Sequence, residues 1–159
     1  MTDIFADGAG YTNGTCAICV YIGDKKISKN KRRFLKVFYE EIPHDELEYL
    51  ALIKAIEFAK LDAKIYSDSQ PVVDEVNGVR PLSTRHSESY KKVKEGLNNK
   101  ENIIIQWIPR EKNLAGIYLD KRLATLKNTL KEMEHGRIAF KSQKAWKKNY
   151  YGKKRRHNR

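Results

Sequence analysis

The sequence has no apolar run of about 18 residues, which is the length that a membrane-spanning helix requires. Its first residues, MTDIFADG, also lack the basic and apolar regions of a secretory signal peptide. These two absences predict an intracellular protein, and we expect it in the cytoplasm. With 159 residues, 40% of them hydrophobic, the chain is long enough to fold around a hydrophobic core.

Cysteine is scarce as well, with only Cys16 and Cys19 in the chain. Their C-A-I-C spacing is that of a redox or metal-binding pair. Both lie in the run TCAICVYI, which predicts a β-strand, and side chains three residues apart in a strand point to opposite faces. One ion therefore does not readily bind both thiols, and we interpret them as two buried cysteines.

Residues 137–159 contain no Asp or Glu but ten Lys or Arg. Because the whole chain has a net charge of +12, residues 1–136 contribute only +2. We therefore predict a folded domain over residues 1–136 and a basic tail over residues 137–159. Cations bind phosphates and aromatic rings stack on bases, so we expect nucleic-acid binding here, with a purely solubilising tail as the alternative. The predicted contacts in the tail are Trp146, Lys147, Lys148, Lys153, Lys154, Arg155 and Arg156.

Hydrophobic periodicity predicts nine elements in the order β-β-β-α-β-α-α-β-α. The predicted strands cover residues 3–8, 15–23, 32–42, 63–67 and 102–108. The predicted helices cover residues 44–60, 70–77, 84–97 and 113–134. The apolar face expected on the first helix comprises Leu47, Leu50, Ala51, Ala55, Phe58 and Ala59. This order indicates an α/β fold with a five-stranded mixed sheet flanked by helices.

Two carboxylates follow short apolar strands. Asp7 and Asp68 are each expected at or just past the C-terminal end of a strand, where ligands bind in sheets of this kind. If the first and fourth strands are neighbours, the two carboxylates meet and repel each other unless a cation lies between them. Mg²⁺ prefers such oxygen ligands. The simpler alternative at Asp7 is a hairpin turn, because Asp-Gly is a common turn signal.

Two more acids are candidates for the same site. Glu48 lies in an otherwise apolar helical turn, and Asp120 lies beside the apolar stripe of the last helix. Taken singly, each acid reads most simply as a turn, cap or solvated residue. The four together favour a metal site.

Four runs, in this order over about residues 3–126, resemble the type 1 ribonuclease H family: IFADGAG, ELEYLALIKAIEFA, AKIYSDSQPVVDEVNG and IIIQWIPREKNLAGIYLDKRLA. The segment IYSDSQPVV is the most specific part. The resemblance implies a ribonuclease H-like fold and an acidic cluster of Asp7, Glu48, Asp68 and Asp120. It also implies two Mg²⁺ ions, with Mn²⁺ as an alternative, and cleavage of the RNA strand of RNA–DNA hybrids to give 5′-phosphate products. We expect a monomer that needs no small-molecule cofactor.

The sequence departs from the family pattern at three places. The loop at residues 109–113 has no histidine, and Arg110 is the nearest substitute, suited to a phosphate contact. Gly116 stands where the family often has its final Asp, and Asp120 follows on the same helix face. The Trp-rich basic handle of some members is missing between residues 78 and 100, and the basic tail is the candidate replacement.

Two other functions remain open on this evidence. Another nuclease of the ribonuclease H-like superfamily, such as a junction resolvase, also uses clustered acids. A catalytically weak module that binds RNA or hybrids is compatible with Gly116 and the missing histidine. The SDSQ run and the retention of Asp7, Glu48 and Asp68 favour the ribonuclease H.

Overall fold

The computed structural model describes residues 1–10 and 14–134, and side chains as far as residue 125. The strands are β1 (Thr2–Gly10), β2 (Cys16–Ile22), β3 (Arg33–Phe38), β4 (Ala63–Ser67) and β5 (Ile103–Trp107). The α-helices are α1 (His44–Phe58), α2 (Gln70–Val76), α3 (Ser87–Asn98) and α4 (Leu114–Glu134). Single 3₁₀ turns cover Thr84–His86 and Arg110–Lys112. The predicted order of elements is confirmed, and the basic tail lies outside the described residues.

The five strands form one mixed sheet in the order β3-β2-β1-β4-β5. The pairs β1–β2 and β2–β3 are antiparallel, whereas β1–β4 and β4–β5 are parallel. Strand β1 is central, and its parallel pairing with β4 ends at Ala6 opposite Ser67. The predicted neighbourhood of the first and fourth strands is therefore confirmed.

Helices cover both faces of the sheet, and each face has its own core. Cys16 belongs to the core on the α1 side, with Ile65 and Val93, whereas Cys19 belongs to the core on the α4 side, with Leu119. Both cysteines are buried and neither forms a disulfide, so the prediction of two separate buried thiols is confirmed. Among the helices of the described residues, none combines the length and apolar character needed to cross a bilayer.

The predicted buried face of α1 is partly wrong. Phe58 is 38% exposed and packs at the helix end against Phe34, with ring centroids 5.3 Å apart, and Leu50 is only partly buried. Tyr49 and Leu52 are fully buried instead. The reason is that α1 packs against the sheet and also against α2 and α3, so its buried surface is wider than a single stripe.

The predicted position of Asp7 at the end of a strand is also wrong. Strand β1 continues to Gly10 because it remains paired with β2 as far as Gly10 opposite Cys16, so Asp7-Gly8 is not a hairpin turn. Strand β3 is shorter than predicted and ends at Phe38, which is the last partner of β2. Asp7 therefore lies on a rigid strand, one residue beyond the end of the parallel pairing.

Candidate metal centre

Strand pairing and helix packing bring three of the four predicted acids together. Asp7 and Asp68 each follow directly after the last parallel pair of β1 and β4, so they lie side by side at the carboxyl end of that pairing. Glu48 comes from α1, which packs on β1. One carboxylate oxygen of each acid lies within 4.8 Å of the others. Within the described part of the chain, this is the one group of acids, histidines or cysteines with such spacing.

Glu48 is buried, and two hydrogen bonds orient its carboxylate. The backbone N–H of Gly8 donates to Oε1 over 3.3 Å, and Ser67 Oγ donates to Oε2 over 3.4 Å. A Cβ at Gly8 would lie only 2.8 Å from Leu47 Cβ, so glycine is what lets α1 approach β1 this closely. His44 Nε2, one helical turn earlier, lies 3.5 Å from Glu48 Oε1.

Asp68 is oriented by a residue that the sequence reasoning did not assign to the site. Asn113 is fully buried, and its Nδ2 donates to Ala6 O over 3.0 Å and to Asp68 Oδ2 over 3.2 Å. Its Oδ1 accepts a hydrogen bond from Ala115 N and so caps the start of α4. An Asn directly before a helix is a cap signal, which was the clue available in the sequence.

Burial and repulsion between neighbouring carboxylates disfavour the charged forms of Asp7 and Glu48 in the absence of a cation. Burial first, and then the Asp68 carboxylate, raise the pKa of Asp7 to about 7. Burial, followed by Asp7 and Asp68, raises the pKa of Glu48 to about 9. Protons therefore remain bound at neutral pH where a carboxylate would ordinarily be ionised. A divalent cation would relieve the same repulsion, so these residues fit an oxygen-ligated Mg²⁺ site.

Asp120 lies outside this group of three. It is exposed on α4 with its Oδ2 3.9 Å from Arg110 Nη2, and both side chains line the same cleft as Asp7 and Asp68. The residue that faces the acids from α4 is Gly116, where an added Cβ would lie 3.2 Å from Asp7 Oδ2 and 3.7 Å from Asp68 Oδ2. The role of Asp120 as a fourth ligand stays a prediction.

Asp7 and Asp68 line a cleft of about 470 Å³. Backbone atoms of Gly8 and Gly10 line one side, and His44, Arg110 and Leu123 also contribute. Arg110 is highly exposed and places its guanidinium at this cleft, beside Asp120. The seven residues predicted to bind nucleic acid in the tail lie outside the described residues.

A five-stranded sheet of this order, with acids at the carboxyl end of the β1–β4 pairing, defines a fold of the ribonuclease H type. A family model described as Reverse transcriptase-like matches residues 34–122, which is more than half of the chain. The chain belongs to the type 1 ribonuclease H family.

Solved ribonuclease H structures are similar to this chain. LC11-RNase H1, solved in complex with an RNA/DNA hybrid, is 25% identical with a TM-score of 0.64, over 77% of this chain and 99% of that one. RNase H1 from the halophilic archaeon Halobacterium salinarum NRC-1 shares the fold at 21% identity and a TM-score of 0.62, over 72% and 89%. The N-terminal RNase H domain of a Mycobacterium tuberculosis protein shares it at 19% identity and a TM-score of 0.62, over 79% and 97%. The comparison with curated proteins found no match.

Proposed function

We propose that this protein is a metal-dependent endoribonuclease that cuts the RNA strand of RNA–DNA hybrids and leaves 5′-phosphate ends. The observation that supports this most is the group of Asp7, Glu48 and Asp68, of which Asp7 and Glu48 are buried and Asp68 is partly buried, in a chain of the type 1 ribonuclease H family. A similar protein, LC11-RNase H1, has been solved in complex with an RNA/DNA hybrid. The raised pKa values of Asp7 and Glu48 also support the proposal, because a bound cation would replace the protons that these carboxylates hold.

In this proposal, Asp7, Glu48 and Asp68 hold magnesium, and Asp120 completes the set for a second ion. Bound there, magnesium would activate a water and stabilise negative charge at the phosphate under attack. The chain's own residues keep the ligands in place. Ser67 holds the Glu48 carboxylate, so that little reorganisation is needed when substrate binds.

Substrate binding is proposed to rest on backbone contacts rather than on base recognition. Arg110 binds a phosphate of the strand in the cleft, and the basic tail neutralises further phosphates. Selection of RNA comes from its 2′-hydroxyls in the minor groove, so little sequence preference is expected. A cytoplasmic location and a monomeric state stay predictions.

The test is cleavage of an end-labelled RNA–DNA hybrid with Mg²⁺, beside matched RNA–RNA, DNA–DNA and four-way-junction substrates. We expect cutting of the RNA in the hybrid alone, and no cutting by Asp7→Asn or Asp68→Asn at undiminished hybrid affinity. Cleavage of the junction instead would replace the proposal with a resolvase. Tight hybrid binding by the wild type without cleavage would replace it with a binding module.

A further inference from the structure

Trp107 is a large aromatic side chain that remains exposed beside the candidate metal centre. It ends β5, an edge strand of the sheet, and is 41% exposed. In the strand register it is the partner of Ser67, the residue directly before Asp68. Its indole Nε1 donates to the backbone carbonyl of Asp68 over 3.2 Å. The ring is therefore attached to a predicted metal ligand by its only polar atom.

This hydrogen bond has two physical consequences. Indole has no other polar atom that needs water, so the exposed part of the ring is purely apolar. The bond also limits rotation of the side chain, so the ring presents a rigid face with little conformational entropy left to lose on binding. Aromatic residues of this kind make large apolar contacts at interfaces.

Charge on the neighbouring loop indicates what the ring meets. Arg110 follows Trp107 by three residues and lines the cleft with Asp7 and Asp68. The short segment from Trp107 to Arg110 therefore presents an exposed apolar ring bonded to Asp68 and an exposed cation that lines the same cleft as Asp68. A polynucleotide offers the matching chemistry, because each phosphate is followed by a sugar ring with an apolar C–H surface.

We propose that the indole of Trp107 packs against the sugar of the nucleotide next to the scissile phosphate, and so forms an apolar wall of the substrate groove. This inference rests on the proposed function. The sugar is favoured over the base because the bases of a hybrid are paired and stacked, whereas its sugars are accessible along the wide minor groove. The contact would guide the strand without reading its sequence.

The chain allows a direct test by fluorescence because it has only two tryptophans. In Trp146→Phe, excitation of tryptophan reports on Trp107 alone. The protein is titrated with an RNA–DNA hybrid in EDTA, so that binding is measured without cleavage. We expect saturable quenching of Trp107, and in the same background a rise in hybrid Kd of roughly tenfold for Trp107→Ala, consistent with loss of one aromatic contact.

Two further variants separate a substrate contact from a structural role. Trp107→Phe retains an apolar ring but loses the hydrogen bond to Asp68, and we expect it to keep most of the hybrid affinity. Ile104→Ala is the matched control, since Ile104 is 43% exposed on the same strand, on the opposite face of the sheet. It should bind hybrid as the wild type does. Mg²⁺ affinity measured by calorimetry should be the same in all these proteins.

Several outcomes would overturn the inference. Unchanged fluorescence and unchanged affinity of Trp107→Ala, in a protein that cuts hybrids, would remove the sugar contact and leave the proposed function intact. A loss of Mg²⁺ affinity in Trp107→Phe, at normal hybrid affinity, would make Trp107 a residue that positions Asp68. A wild type that neither binds nor cuts hybrids, while still binding Mg²⁺, would overturn the proposed function together with the inference.

Discussion

Asn113 and Asp68 are 45 residues apart in sequence, yet the Asn113 amide donates a 3.2 Å hydrogen bond to the Asp68 carboxylate. The same amide donates to Ala6 O, so one side chain links the start of α4 to both strands that present the acids. The positions of β1 and of Asp68 in the candidate site therefore both depend on Asn113, directly before α4.

Replacement of Asn113 should affect both stability and metal binding. Asn113→Ala leaves the buried Ala6 carbonyl without this donor, and we expect a loss of about 1–3 kcal/mol in the free energy of unfolding. Mg²⁺ affinity should also fall, because the Asp68 carboxylate loses its orientation. Asn77→Ala is the matched control, since its amide donates to a strand carbonyl, Ile105 O, elsewhere in the core. Chemical denaturation and Mg²⁺ titration calorimetry measure the two effects, and equal Mg²⁺ affinity in both variants would contradict the prediction.

Gly116→Ala should separate stability from metal binding. Alanine is favoured over glycine inside a helix by up to about 1 kcal/mol, so the change in helix propensity should not destabilise the metal-free protein. The new methyl group would lie 3.2 Å from Asp7 Oδ2 and press on that carboxylate, so Mg²⁺ affinity should fall. Gly10→Ala is the control at the same cleft, because a Cβ there meets nothing within 4 Å. A Gly116→Ala protein with wild-type Mg²⁺ affinity would show that Asp7 has room to move.

The stability of the metal-free protein should fall as pH rises. The folded state raises the pKa of Asp7 to about 7 and that of Glu48 to about 9, well above the values near 4 of unfolded chains. The folded state therefore holds protons that the unfolded state has lost, and between about pH 4 and pH 9 each increase in pH favours unfolding. Thermal unfolding in EDTA should show this decline, and Asp7→Asn should reduce it. Saturating Mg²⁺ should raise Tm most at high pH, because the cation then binds without displacing protons.

The fourth ligand can be identified by comparing two exposed acids near the cleft. If Asp120 is the fourth metal ligand, Asp120→Asn should lower the number of Mg²⁺ ions bound in the presence of hybrid and should reduce cleavage. Glu111→Gln should change neither quantity. The fold itself should tolerate Asp120→Asn, since its ion pair with Arg110 is exposed and such pairs stabilise little. The opposite result would assign the role to Glu111.

Removal of residues 137–159 should weaken hybrid binding mainly at low salt. The tail has ten of the Lys and Arg residues, and each phosphate that it neutralises adds to the salt dependence of the binding constant. Hybrid Kd measured across a series of salt concentrations should therefore give a smaller slope for the truncated protein. Equal slopes would show that the tail does not contact the nucleic acid.

Local patterns in the sequence predicted much of this structure. The fourth strand has the predicted bounds, Ala63–Ser67, because a short apolar run between polar residues is a local signal. The meeting of Asp7 and Asp68 was predicted on the condition that the first and fourth strands are neighbours, which the structure meets. Contacts between distant segments were not predictable in this way. The hydrogen bonds of Asn113 and the exposure of Phe58 depend on how helices dock on the sheet, which no periodicity specifies.

The close contact between Gly8 and Leu47 has a consequence for how the protein responds to stress. Glu48 follows Leu47 directly, so any loosening of α1 from β1 would withdraw one ligand from the other two. Partial unfolding of this one interface would release the ion before the rest of the fold is lost. A bound ion would in turn stabilise the interface between α1 and β1. The dissociation rate of magnesium would therefore report how often α1 detaches.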